Sequence, residues 1–99
     1  MKSGYKILWT EHALDELSAT YEYLELHFTK RELKKLSTEL DRTLYLISQN
    51  PYLFPISDLK GARRVVIKKF NTLYYREKES YIEILSFFSN RQNPDKRKI

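Results

Sequence analysis

Two apolar stripes of helical spacing follow one another in this chain with barely a turn between them. Leu14, Leu17, Tyr21, Leu24 and Phe28 recur at steps of three and four, and Leu33, Leu36, Leu40, Leu44 and Ile47 repeat the pattern. Each stripe marks the buried face of an amphipathic helix. The break between them, His27-Phe28-Thr29-Lys30, leaves room only for an antiparallel reversal. The second helix must stop before Asn50-Pro51, because a residue ahead of proline is driven out of the helical region. Thr10 is placed to cap the first helix, with Glu11 in the favourable field of its N-terminus. A hairpin with two apolar stripes needs a common surface to cover.

Strands supply that surface. Tyr5 to Trp9 is a short β-branched and aromatic run, and three more runs follow the loop from Pro51 to Gly61: Arg64 to Lys68, Leu73 to Arg76 and Tyr81 to Phe88. Short gaps near Phe70-Asn71 and Glu79-Ser80 predict hairpins, hence an antiparallel meander. The expected class is α+β, in the order β-α-α-β-β-β, with a mostly antiparallel sheet packed against an N-terminal helical hairpin. The last run is apolar on both faces: simple alternation sends Ile82, Ile84 and Phe88 one way and Tyr81, Leu85 and Phe87 the other. Such a strand belongs in the middle of a sheet. Tyr74 and Tyr75 alternate too, so one ring is expected in the core and its neighbour outside.

With 99 residues, one domain spanning 1–99 is expected, with 93–99 as a flexible tail. There is no cysteine, which removes disulfides, thiolate metal sites and cysteine nucleophiles. His12 and His27 flank the first helix away from any carboxylate cluster spaced for a metal, so neither metal nor cofactor is expected. No apolar run approaches the roughly 18 residues that cross a bilayer, nor does the N-terminus carry a signal-peptide core. A cytoplasmic protein with no membrane partner is the expectation.

The net charge of +5 is unevenly spread. Residues 11–29 hold five acidic side chains and no Lys or Arg, whereas 60–78 hold seven cations against Glu77 alone. The tail adds Arg91, Lys96, Arg97 and Lys98 against Asp95. Such asymmetry points to an anionic partner. Arg63, Arg64, Lys68 and Lys69 form the expected basic patch for a target or a nucleic acid. Arg91, at the end of the last strand, offers a rigid fork of donors for phosphate or carboxylate. The acidic face of the first helix could in turn meet a basic segment of a partner.

Four phrases in order sharpen this reading. They are Trp9-Thr10-Glu11-His12-Ala13-Leu14-Asp15-Glu16-Leu17, Gly61-Ala62-Arg63-Arg64, Leu73-Tyr74-Tyr75-Arg76, and Ile84-Leu85 running on to Asn90-Arg91-Gln92-Asn93-Pro94. Together, across residues 5–94, they resemble the RelE/ParE toxin superfamily of bacterial type II toxin–antitoxin systems. The resemblance implies a small basic toxin bound by a cognate antitoxin protein. It also implies a target: DNA gyrase for ParE-like members, or the ribosome and its mRNA for RelE-like endonucleases. Arg64 and Arg91 match basic positions of the nuclease branch and would be catalytic there. That branch often opens its third strand with arginine, where this chain has Phe70-Asn71-Thr72, and often ends in a tyrosine or histidine that this chain lacks. The resemblance therefore leans toward the ParE-like side. For the antitoxin, it implies apolar side chains laid into the groove between helices and sheet, with Leu14, Leu17 and Tyr21 as the expected contacts.

Overall fold

The structure, a computed structural model, describes residues 4–57 and 61–89. Its elements are β1 (Lys6–Trp9), α1 (Glu11–His27), α2 (Lys30–Gln49), β2 (Arg63–Ile67), β3 (Asn71–Glu77) and β4 (Tyr81–Ser89). Both helices begin as their sequences dictate. Thr10 Oγ1 accepts the Ala13 N–H at 3.1 Å, and Thr29 Oγ1 accepts that of Glu32 at 3.3 Å. These bonds satisfy amide donors that a helix leaves orphaned in its first turn. Phe28 ends α1 in an extended conformation, and its N–H still reaches the Leu24 carbonyl. Thr29 can then start α2 at once.

The sheet runs β1-β4-β3-β2. β2, β3 and β4 form the expected meander, and β1 lies parallel to β4, so β4 is an inner strand. The Thr10 N–H donates to the Ile84 carbonyl, tying the start of α1 to that strand. The helices cover one face. Leu36, Leu40 and Ile47 of α2 and Ala13 and Leu24 of α1 meet Ile67, Leu73, Tyr75, Ile82, Ile84 and Phe87 in one core.

Two details depart from simple periodicity. The first lies in β4, where Tyr75 pairs with Ile84 but Tyr74 pairs with Ser86, leaving Leu85 as an extra residue. This β-bulge inverts the alternation beyond it. The buried set is therefore Ile82, Ile84, Phe87 and Ser89, and Phe87 packs near Trp9 in place of the expected Phe88. The second lies in α1. Its inward line runs through Ala13, Thr20 and Leu24, with Leu17 and Tyr21 partly covered, while Leu14 is 48% exposed. A small residue faces the sheet where the helix starts, so the large one beside it looks outward.

The face of the sheet away from the helices carries the residues that alternate with the core. Leu8, Glu83 and Arg76 are register partners across β1, β4 and β3, and Arg64 pairs with Tyr74 across β2 and β3. Along the outer edge of β2, Pro55 to Ser57 add a partial fifth member to the sheet. Ile56 bridges to Arg63, the Arg64 N–H donates to the Pro55 carbonyl, and the Ser57 N–H donates to that of Ala62. Gly61, with φ of +75°, turns the chain back into β2.

Candidate target-binding site

Strand alternation divides the expected basic patch. Arg63 and Arg64 are adjacent in β2 and so point to opposite faces. Arg63 is turned inward and is only 9% exposed. Its Nε donates to Glu77 Oε1 at 2.9 Å and its Nη2 to Oε2 at 3.4 Å, a two-point pair. Its Nη1 donates to the Phe54 carbonyl at 2.7 Å, and its guanidinium lies 5.0 Å from the centre of the Tyr52 ring. Beside it the buried Tyr75 hydroxyl donates to the Pro51 carbonyl at 2.9 Å. Arg63 thus anchors the 51–54 loop to β2 and β3. It is an internal tie, and the expected patch loses that member.

The electrostatics follow this geometry. The hydrogen bonds from Arg63 hold the Glu77 carboxyl below its ordinary range, and the same pair raises Arg63. Burial pushes the Tyr75 phenol up. Neither Glu77 nor Tyr75 is therefore suited to exchange a proton near neutral pH. Lys68, another member of the expected basic patch, is set apart from Arg64. It lies in the turn beyond the far end of β2 from Arg64, with φ of +53°, and Lys69 follows at +71°. The turn, and not the strand face, holds both lysines.

Arg64 is exposed on the open face. It borders a recess of about 300 Å³ lined with Pro55, Ile56 and Ser57. Tyr74 lies across from it, and Arg76 lies two residues further along β3 on the same face. Arg76 Nε is buried, and no hydrogen-bond acceptor among the described residues meets it. Its register partner Glu83 lies 4.0 Å from Lys78 Nζ. Sequence reasoning passed over Arg76. The signal available was its parity with Tyr74, two strand steps that put both on one face. Arg91 lies outside the described residues, as does the tail 93–99.

The geometry of the fold can now be set beside known proteins. No protein-family model matches the chain, and no curated protein matches it at a significant level. Solved structures do. A chain of "Chromosomal ParDE TA system from P. aeruginosa" superposes with a TM-score of 0.71 at 18% identity, covering 86% of this chain and 95% of that one. A chain of "Crystal structure of the E. coli DinJ-YafQ toxin-antitoxin complex" gives 0.61 at 11% identity, covering 92% and 98%. The chain shares its fold with a chain of each of these two toxin–antitoxin structures. The expected α+β order is present: a capped helical hairpin over a mostly antiparallel sheet. Within that fold Arg64 and Arg76 occupy the open face. Among the expected antitoxin contacts, Leu14 is exposed, while Leu17 and Tyr21 are partly buried against the core. Among the described residues no group of His, Asp and Glu could hold a metal ion, and no helix is long and apolar enough to cross a membrane.

Proposed function

We propose that this chain is the toxin of a type II toxin–antitoxin system, ParE-like in action: it binds and inhibits DNA gyrase and is neutralised by a cognate antitoxin. The fold likeness to a ParDE system supports the toxin reading. The choice of an inhibitor over a nuclease rests on one observation, the commitment of Glu77 to Arg63. Metal-free RNA cleavage needs an acceptor for the 2′-hydroxyl proton, a donor for the leaving oxygen and cations for the phosphorane charge. Among the described residues the open face around Arg64 offers Arg76 and the Tyr74 phenol, while the Glu77 carboxylate is held by Arg63 on the other face and Glu83 lies 4.0 Å from Lys78. Such a face is better suited to holding an anionic or polar surface than to moving protons. Arg64, with Arg91 beyond the described residues and Lys68 and Lys69 in the turn, is proposed to contact the target. The exposed Leu14, with the rims of Leu17 and Tyr21, is proposed to receive an apolar segment of the antitoxin.

A supercoiling assay with purified gyrase tests the reading. The protein is expected to inhibit the enzyme, and Arg64→Glu to weaken inhibition while leaving the melting temperature in place. Gyrase activity untouched by a large excess of folded protein would reject it. The RelE-like alternative, a ribosome-dependent mRNA endonuclease using Arg64 and Arg91, gains from the exposure of Arg64 on the face it shares with Arg76, where an RNA phosphate could meet its guanidinium. Codon-phased cuts in translated messages after induction would establish that alternative.

A further inference from the structure

The largest basic concentration among the described residues lies away from Arg64. A cleft of about 340 Å³ opens between the first half of α2 and the β2–β3 turn, lined by Arg31, Lys34, Lys35, Thr38, Glu39 and Lys68. We propose that this cleft binds the phosphate backbone of duplex DNA.

Four of its six lining residues are cations. The single carboxylate, Glu39, lies 3.6 Å from Arg42, so an outside cation already attends it. Arg31, Lys34, Lys35 and Thr38 stand at i, i+3, i+4 and i+7, which places them on one face of the helix. Arg31 stands in the first turn of α2, where the helix dipole also favours an anion. From Arg31 to Thr38 the axis advances about 10 Å. The cations from Arg31 to Lys35 span about 6 Å of that axis, a length over which they can face neighbouring phosphates of one strand. Lys68 closes the opposite wall from a left-handed turn position that suits glycine better than lysine. Its side chain therefore brings positive charge to the cleft where local conformation alone would not favour it.

The lining also narrows the ligand. None of its residues is aromatic, whereas a groove for single strands stacks bases on rings. It likewise lacks the buried apolar or aromatic anchor expected of a peptide site. A polyphosphate backbone remains, read by charge. The choice of DNA over RNA rests on the gyrase reading, because DNA is the substrate on which that target works.

The test is fluorescence anisotropy of a labelled DNA duplex of about 20 base pairs against the purified full chain, titrated across salt. Each phosphate contact contributes about −0.9 to the slope of log K against log salt. Lys34→Ala/Lys35→Ala is expected to reduce the slope by about 1.8 and to weaken low-salt binding roughly tenfold or more. The control is Lys6→Ala/Lys78→Ala, which removes the same charge at the other end of the sheet and should change little. Circular dichroism confirms that both variants are folded, since Lys34 and Lys35 are exposed. Equal losses in the two variants would overturn the proposal. So would tenfold tighter binding of an RNA duplex of the same sequence, or equal competition by polyglutamate. DNA binding through the cleft without gyrase inhibition would defeat only the functional reading, and gyrase inhibition without DNA binding would defeat only this one.

Discussion

Replacing Glu77 by glutamine keeps the shape of the Arg63 tie and removes its charge. Arg63 then stays inside with the Phe54 carbonyl, the Tyr52 ring and one neutral amide oxygen in place of the carboxylate. Breaking one side of a fully buried pair costs about 3–5 kcal/mol. Here the Glu77 side chain is still 22% open to solvent and the guanidinium keeps a carbonyl. The expected cost is therefore about 2 kcal/mol, below that range. With a urea slope of about 1–3 kcal/mol per molar, the unfolding midpoint should fall by roughly 1–2 M. The pH dependence gives a second reading. The folded Glu77 carboxyl sits below its ordinary value because Arg63 donates to it. Its contribution is thus fully present above the unfolded carboxylate range, near pH 4, and is lost as pH falls through the folded value. The gap between wild type and Glu77→Gln should be constant near neutrality and close in acid. Arg63→Met/Glu77→Leu, which removes both charges together, should recover most of the loss. A single variant costing less than about 0.5 kcal/mol, or a gap that persists unchanged into acid, would show that the pair does not anchor the loop.

Other outcomes test separate parts of the fold. Phe87→Ala should cost about 3–5 kcal/mol in thermal or urea unfolding, and Phe88→Ala markedly less; equal costs would refute the bulge at Leu85. Lys69→Gly should raise stability by about 1 kcal/mol, because glycine adopts its positive φ without strain, and no gain in the melting temperature would contradict the turn geometry. Thr10→Ala should lose about 1 kcal/mol through the uncapped Ala13 N–H, measurable by urea unfolding.

Helical periodicity made the hairpin legible, since a stripe at steps of three and four survives small errors in the ends of a helix. Its failure at Leu14 has a physical source. Hydropathy favours the larger side chain, whereas close approach of α1 to β4 favours Ala13, which has no exposed surface at all. The strands were readable as runs but not in phase. One inserted residue at Leu85 exchanges the faces of Phe87 and Phe88, and composition carries no mark of it. The inward turn of Arg63 was partly recoverable. Once the Lys68–Phe70 turn sets the hairpin, Arg63 stands opposite Tyr75 and diagonal to Glu77, within reach of a long side chain. The cleft was also within reach, because Arg31, Lys34 and Lys35 share a helical face by spacing alone. Attention to the basic second half of the chain hid it. Lys68, the member that closes it, comes from more than thirty positions downstream, and only the fold brings the two together.

The strand period also explains how a chain of this size puts one kind of charge to separate uses. In β2 a single step separates Arg63, whose charge is neutralised inside, from Arg64, whose charge faces solvent. Beyond the strand, two left-handed residues swing Lys68 toward α2, away from the open face. A one-residue slip of β2 would put Arg64 in the place of Arg63 beside Glu77 but would also put Lys68 in the buried place of Ile67, an unpaired charge that costs several kcal/mol. Ile67 and the Arg63–Glu77 pair together hold the register that exposes Arg64. If so, Arg63→Met should leave β2 freer to slip and weaken target inhibition even though Arg63 itself touches no target. The double variant Arg63→Met/Glu77→Leu separates specificity from stability, because its fold is held but its register is selected only by apolar residues. Hydrogen exchange on the β2 amides reads the difference: protection at wild-type level in the double variant would mean that Val65 and Ile67 suffice to set the register and that the ion pair serves only the loop.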